Sequence, residues 1–347
     1  MQFGLYAPIP MATVGSPEAA KADAEARSPL PAGRLDAQFD HGVELLEAAD
    51  RIGFELVLFA ERHLGSDISA WLLASAIGSR LNNIRSLVAV HPGLWDPVMI
   101  GKLAVSLDRM CKGRMALNVV NGWFDEEFRM FGGTVLQGEE RYRRTIEFID
   151  VLRGLWANET FSYEGRFYKV DKGQLLLKPA TPTLPEIYSV SRSDRGRDFI
   201  AAHCDWWFVD MPKDTATTDD TVRGIEANIA DMDRRTRALG RKVRYGFNPF
   251  VALGKTTEEA LDVVIKRIFA CEPNPDARKI ESRMIPATKA GLIGPPDAVI
   301  RQLRRYEDLG IELALCKMLP TVENITNIAQ EVVAPMKGGA TPLPKAS

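Results

Sequence analysis

Cysteine is scarce in this chain: Cys111, Cys204, Cys271 and Cys316 are its only four, far apart and without a Cys-x-x-Cys pair. That excludes a disulfide framework and a thiolate metal cluster, and suits reduced thiols, three of them in or beside apolar runs. Histidine is as sparse. His41, His63, His91 and His203 stand alone with no His-x-x-His spacing, so the sequence offers no metal-ligand set. There is no basic excess either: the formal net charge is −2, which gives nucleic acid and anionic membrane nothing to bind and leaves a small molecule as the expected partner. No apolar run approaches the roughly 18 residues of a bilayer span. The opening Met1-Gln2-Phe3-Gly4-Leu5-Tyr6 lacks a basic segment followed by an apolar one, so a cytoplasmic protein is expected. Also missing are Gly-x-Ser-x-Gly for a serine hydrolase, Gly-x-x-x-x-Gly-Lys-Ser/Thr for nucleoside triphosphates, and Gly-x-Gly-x-x-Gly after the first strand for a dinucleotide.

What is present is apolar content, 46% over 347 residues, enough for a large core. It is arranged as short β-type runs alternating with amphipathic helical stretches. The strand candidates are Gln2–Tyr6, Glu55–Phe59, Ile84–Val90, Met115–Val120, Glu186–Val190, Trp206–Asp210, Val243–Leu253 and Glu312–Met318. Each precedes a helix-compatible segment, which predicts a (β/α)8 barrel of the TIM type; a doubly wound open sheet is the alternative, disfavoured by the missing phosphate turn. Helix punctuation agrees. Val43, Leu46, Ala49 and Ile52 fall three apart before Gly53, and Asp96-Pro97 reads as N-cap and first turn of a helix that Lys112-Gly113 closes.

Three segments exceed a minimal barrel. Residues 8–33 form a long loop after the first strand, a candidate lid or substrate wall on the active-site face. Phe161, Tyr163, Phe167 and Tyr168 around Glu164-Gly165 read as an inserted β-hairpin covering core surface. Residues 271–286 are charged and Pro-containing and read as a mobile loop. The expected organisation is a single barrel domain over residues 1–336 with a disordered tail over 337–347.

The richest chemistry lies where the run Met115–Val120 ends in Asn121-Gly122-Trp123, followed by Glu127-Phe128, Gly132-Gly133 and Glu140-Arg141-Tyr142-Arg143-Arg144. Amides, glycine and acidic groups gather at a strand's C-terminal end, where α/β proteins bind ligands. Ser189-Val190-Ser191-Arg192-Ser193-Asp194-Arg195-Gly196 follows the fifth strand and opens a helix, so its hydroxyls, backbone amides and two arginines can hold a phosphate, or a serine simply caps the helix and the arginines lie in solvent. Strand ends rich in amides, hydroxyls, arginines and aromatics suit a planar anionic cofactor whose own ring does the difficult chemistry.

Together with Pro92-Gly93-Leu94-Trp95-Asp96-Pro97, these motifs resemble the flavin-dependent monooxygenases of the bacterial luciferase-like superfamily. The branch is that of dimethylsulfone monooxygenase, pyrimidine oxygenase and alkanesulfonate monooxygenase, and the likeness runs from about Phe39 through the eighth strand. It implies an enzyme that takes reduced FMN from a separate NAD(P)H-dependent flavin reductase and uses O2 to oxygenate a small organic substrate, in a homo-oligomer, with cleavage of a C–S or C–N bond as one outcome of the oxygenation. It implies flavin contacts from Glu61, Asn118, Glu127, Arg141, Tyr142, Ser191, Arg192 and Ser193. Asn118 can pair with the isoalloxazine edge or satisfy a neighbouring strand end; Arg141 and Tyr142 offer a cation and a hydroxyl to the cofactor tail or lie in solvent. His91 is a candidate hydrogen-bonding group for oxygen or substrate, or a structural histidine, and Trp123 a candidate pocket wall or core residue.

The turn Val190-Ser191-Arg192 departs from the glycine-rich turn common in the family and trades backbone cradle for side chains. Where sulfonate enzymes carry basic residues after the seventh strand, this chain has Asn248 and Phe250, as dimethylsulfone monooxygenases do. A buried anion needs a cation, so the resemblance implies a neutral substrate, sulfone-like or heterocyclic, unless Arg62, Arg192 or Arg195 reaches the pocket. Two other readings stay open: a deazaflavin (F420)-dependent oxidoreductase, and a flavin-binding protein without catalysis.

Overall fold

The computed structural model describes residues 1–6, 32–61, 63, 68–122, 124–212, 215–271 and 277–338. Strands β1 (Gln2–Tyr6), β2 (Leu56–Phe59), β3 (Arg85–Val90), β4 (Met115–Val119), β7 (Ile187–Ser189), β8 (Trp206–Phe208), β9 (Arg244–Phe247) and β12 (Ile311–Cys316) close a parallel barrel in which β1 joins β12 on one side and β2 on the other. Such strands bury both faces, so their sequences are continuous apolar runs. All four residues of Leu-Val-Leu-Phe in β2 are buried. One face of each strand fills the barrel and the other packs beneath the ring of helices.

The helix punctuation holds. Asp96 caps the helix Pro97–Met110, accepting from Val98 N at 2.9 Å and Met99 N at 3.0 Å, and Lys112 and Gly113 beyond it take positive φ, 54° and 80°. The inserted hairpin is present as β5 (Phe161–Glu164) and β6 (Lys169–Gly173), antiparallel, with Phe161, Tyr163 and Tyr168 packed on the core.

The structure corrects the seventh strand. Val243–Leu253 is not one element: β9 stops at Phe247, and the chain resumes as β10 (Ala252–Leu253), which pairs with β11 (Ile293–Gly294) in a separate two-stranded sheet. Pro249 is the cause, since it has no N–H for a ladder and a fixed φ. Its carbonyl instead accepts from Lys317 N at 2.8 Å, while Val251 N donates to Lys317 O at 3.1 Å. Most of the expected late loop is the helix Ala277–Lys289, with residues 272–276 outside the described ones. Lys337, expected to start the tail, donates from Nζ to the Gly53 carbonyl at 2.9 Å; residues 339–347 lie outside the described residues, as does the expected loop 8–33 apart from its last two positions.

The N-terminal end of the barrel is plugged. Tyr188 stacks on Trp206 (centroids 5.0 Å apart, planes at 8°) and the Arg244 guanidinium lies 4.0 Å from the Trp206 centroid. Access is therefore from the C-terminal mouth.

Candidate active site

Leu56, Leu58, Leu87, Ala116, Tyr188, Trp206, Phe208, Leu313 and Leu315 fill the barrel interior, with Tyr6 and Ala60 packed against them. Side chains alternate along a strand, so Asn118 in β4 shares the inward face of Ala116, and just past the strand ends the same even spacing reaches His91 from Leu87, Asp210 from Phe208, Asn248 from Gly246, which pairs with Leu313, and Lys317 from Leu315. This row is the floor of the mouth. The apolar packing beneath it fixes its height and its direction.

Asn118 is the polar centre of the floor, 7% exposed, and its Oδ1 has no hydrogen-bond partner among the described residues. A buried amide oxygen left unpaired costs about 1–3 kcal/mol unless something else bonds to it. The neighbouring strand β7 leads into the Ser191–Ser193 turn, and Ser189 Oγ ties the two strands by donating to the Val119 carbonyl at 2.8 Å. There the structure assembles three hydroxyls from two elements. Tyr142, in the first turns of the helix Gly138–Ala157, places its OH 3.2 Å from Ser191 Oγ and 3.0 Å from Ser193 Oγ, and the two serines are 3.3 Å apart. Ser193 is also the N-cap of the helix Asp194–His203, accepting from Gly196 N at 3.1 Å. Gly196 is needed for this approach, because a Cβ there would lie 1.8 Å from Ser191 Oγ. Hydroxyls at a helix N-terminus meet the requirements of a phosphate.

Other predicted site residues have different places. Arg141 is turned to its own loop: Nη1 donates to the Gly122 carbonyl at 2.7 Å and Nε to the Leu136 carbonyl at 3.0 Å. Gly122 takes φ 74°, which lets the chain turn after β4, and Thr145 donates to Asn121 Oδ1 beside it. Arg192 pairs with Asp210 of that row at 3.0 Å, and Arg195 with Glu139 at 3.6 Å; both arginine side chains are well exposed. Glu127 is buried in the helix Asp125–Met130 and accepts from His63 N at 2.6 Å, so it ties the loop after β2 to the loop after β4. Glu61 is buried beside Ser69, whose Oγ lies 3.5 Å from Oε2. His91 is 5% exposed, with its ring 5.5 Å from that of His63 in an edge contact. Trp123 and Arg62 lie outside the described residues.

Beyond β9, Asn248 has an Oδ1 that is buried and without a hydrogen-bond partner among the described residues, and Phe250, two residues on, bridges to Lys317. The sequence reading missed what meets them. Lys317 brings its ammonium 4.9 Å from the Tyr6 ring and 5.3 Å from the Phe250 ring, and the Arg267 guanidinium lies 5.2 Å from Phe250. The inward parity Leu313, Leu315, Lys317 was readable; the meeting with Phe250 depends on the break at Pro249. Cations thus reach Phe250 from the last strand and a helix, not from the seventh strand. Among the described residues no cluster of His, Cys, Asp or Glu could hold a metal ion, and no helix is long and apolar enough to cross a membrane.

The model of the luciferase-like monooxygenase family matches residues 1–313. An FMNH2-dependent dimethylsulfone monooxygenase from Pseudomonas fluorescens is 30% identical over 86% of this chain and 88% of its own. One from Pseudomonas putida is 29% identical over the same shares. A monooxygenase of known structure from Streptomyces bottropensis superposes with TM-score 0.73, at 19% identity, over 96% of this chain and 99% of that one, which is a likeness of fold. Barrel, mouth and sequence agree, and the chain belongs to the luciferase-like monooxygenases.

Proposed function

We propose that this protein is a monooxygenase working on reduced FMN and O2, and that it oxygenates a small sulfone-like substrate. The observation that carries the reading is the pairing, at the ends of adjacent strands, of a buried amide with an unpartnered Oδ1 at Asn118 and a triangle of hydroxyls at a helix N-terminus. The donor set fits FMN: Asn118 would meet the ring system, and Tyr142, Ser191 and Ser193 the phosphate. Arg141 would act through the Asn121-Gly122 loop that it holds, and Glu127 through the His63 backbone. Bound reduced flavin would supply two electrons and the place where oxygen is activated. The protein's share is orientation and exclusion of water, with His91 and Asn118 as hydrogen-bonding groups in the floor. The dimethylsulfone monooxygenases among its relatives support the substrate class, and their shared dependence on FMNH2 favours FMN over the deazaflavin alternative.

No nicotinamide fingerprint is present, so a separate NAD(P)H-dependent reductase would deliver the flavin in the cytoplasm. A homo-oligomer is part of the same reading; Met99 and Leu103, exposed one turn apart on the helix Pro97–Met110, are apolar area that a second copy would cover. The test supplies reduced FMN from an unrelated reductase and follows oxygen uptake and products with dimethylsulfone, methanesulfonate and uracil. Product from dimethylsulfone supports the proposal. Efficient oxidation of NADH by the purified chain alone would refute the two-component arrangement.

The hydroxyl triangle makes a narrower prediction. Tyr142→Phe with Ser193→Ala is expected to weaken FMN by about 10- to 100-fold and riboflavin much less, since hydrogen bonds to a charged group contribute about 1.5–3 kcal/mol. Arg141→Ala is expected to weaken both ligands alike, because its guanidinium holds a loop. Isothermal titration with the two ligands decides; equal losses for the hydroxyl variant would move the phosphate elsewhere.

A further inference from the structure

The wall at Phe250 has a donor that neither the sequence motifs nor the flavin reading uses. Lys317 continues the inward register of β12, so its side chain rises from the barrel axis and not from the outer surface. Its backbone is pinned on both sides, N to the Pro249 carbonyl at 2.8 Å and O from Val251 N at 3.1 Å, an isolated bridge that sets Lys317 level with Phe250. The ammonium then rests between the rings of Tyr6 and Phe250. Ring faces stabilise a cation held partly out of water, and an ammonium brings three donors to whatever lies against it. Asn248, one residue before the Pro249 that accepts from Lys317 N, has an amide oxygen unpartnered among the described residues.

Resting on the sulfone reading above, we propose that Lys317 is the specificity-determining residue of the substrate wall. It donates from Nζ to a sulfonyl oxygen of a substrate whose alkyl group lies on Phe250 and whose second polar contact is Asn248. A sulfone has no net charge, but its oxygens carry a large partial negative charge and accept hydrogen bonds well. A neutral substrate therefore uses this cation without requiring the full ion pair that a sulfonate needs, and the absence of basic residues after the seventh strand does not leave the pocket without a donor.

The experiment compares wild type, Lys317→Met and Lys317→Arg, each loaded with reduced FMN anaerobically and then supplied with dimethylsulfone, methanesulfonate or uracil. Met keeps the length and removes the charge. The expected result is a KM for dimethylsulfone raised about tenfold or more in Lys317→Met, partial recovery in Lys317→Arg, oxygen uptake uncoupled from product, and reduced-FMN affinity unchanged within twofold. A KM within twofold of wild type overturns the role of Lys317 while leaving the sulfone reading intact. A loss of reduced-FMN affinity in step with KM also overturns it, since the residue would then serve the cofactor. If wild type turns over uracil and neither sulfonyl compound, the sulfone reading fails, and the sulfonyl contact with it.

Discussion

Asn118→Leu is expected to weaken reduced-FMN binding by about 10- to 100-fold while leaving the ligand-free protein as stable as wild type or more so. The side chain is 7% exposed and its Oδ1 has no hydrogen-bond partner among the described residues, so without a ligand the amide contributes a desolvation cost of about 1–3 kcal/mol that a leucine of similar volume removes. With ligand, the same leucine lacks the bond that the amide is placed to make. Opposite signs for binding and stability are the signature of a residue held for a partner. Anaerobic titration and urea unfolding of the two apoproteins measure the two quantities. A variant less stable by several kcal/mol would show that Asn118 serves the fold, and the cofactor assignment would need a different centre.

The other large effect is at the closed end. Trp206→Ala is expected to lower stability by about 3–5 kcal/mol, the usual range for removing a buried aromatic side chain. Trp206 is fully buried, stacked on Tyr188, under the Arg244 guanidinium, and donates Nε1 to Glu186 Oε2 at 3.1 Å. Trp206→Phe separates packing from charge. For Glu186, burial raises the pKa, but Arg85 and the Trp206 bond outweigh it and hold the carboxyl below its ordinary value. A depressed carboxyl gives stability that is present above its unfolded pKa and is lost as pH falls through its folded pKa. Trp206→Phe raises the folded pKa, so its acid unfolding is expected to begin at higher pH than in wild type, with a smaller loss at neutral pH than the alanine variant. Urea midpoints at neutral and acidic pH test this; an unchanged acid transition would remove Trp206 from the control of Glu186.

The barrel was legible because each strand is a short apolar run followed by a helix with its own stop signals, and both are local properties of the chain. Gly53 after Ile52 and Asp96 before Pro97 fall where the structure has them. The seventh strand was misread for a physical reason. Residues 243–247 and 250–253 each have β-type composition, and the partner that takes the chain beyond Pro249 out of the barrel, β11, lies some forty residues further on. Strand pairing is non-local, so the break was legible at Pro249 but the new partner was not.

The site divides in the same way. Sequence by itself determined the family, the polar strand end at Asn118 and the serine turn after β7, since these are motifs read along the chain. It could not decide which charged groups face inward. Arg141, Arg192 and Arg195 were equal candidates for the phosphate as letters, yet their nearest partners prove to be the Gly122 carbonyl, Asp210 and Glu139. Lys317 carried no motif and yet reaches the mouth, because strand parity aims it inward and the bridge across Pro249 brings it to Phe250. Tertiary structure made those choices: the strength of a charge's interactions depends on distance and burial, and neither is written in the order of residues.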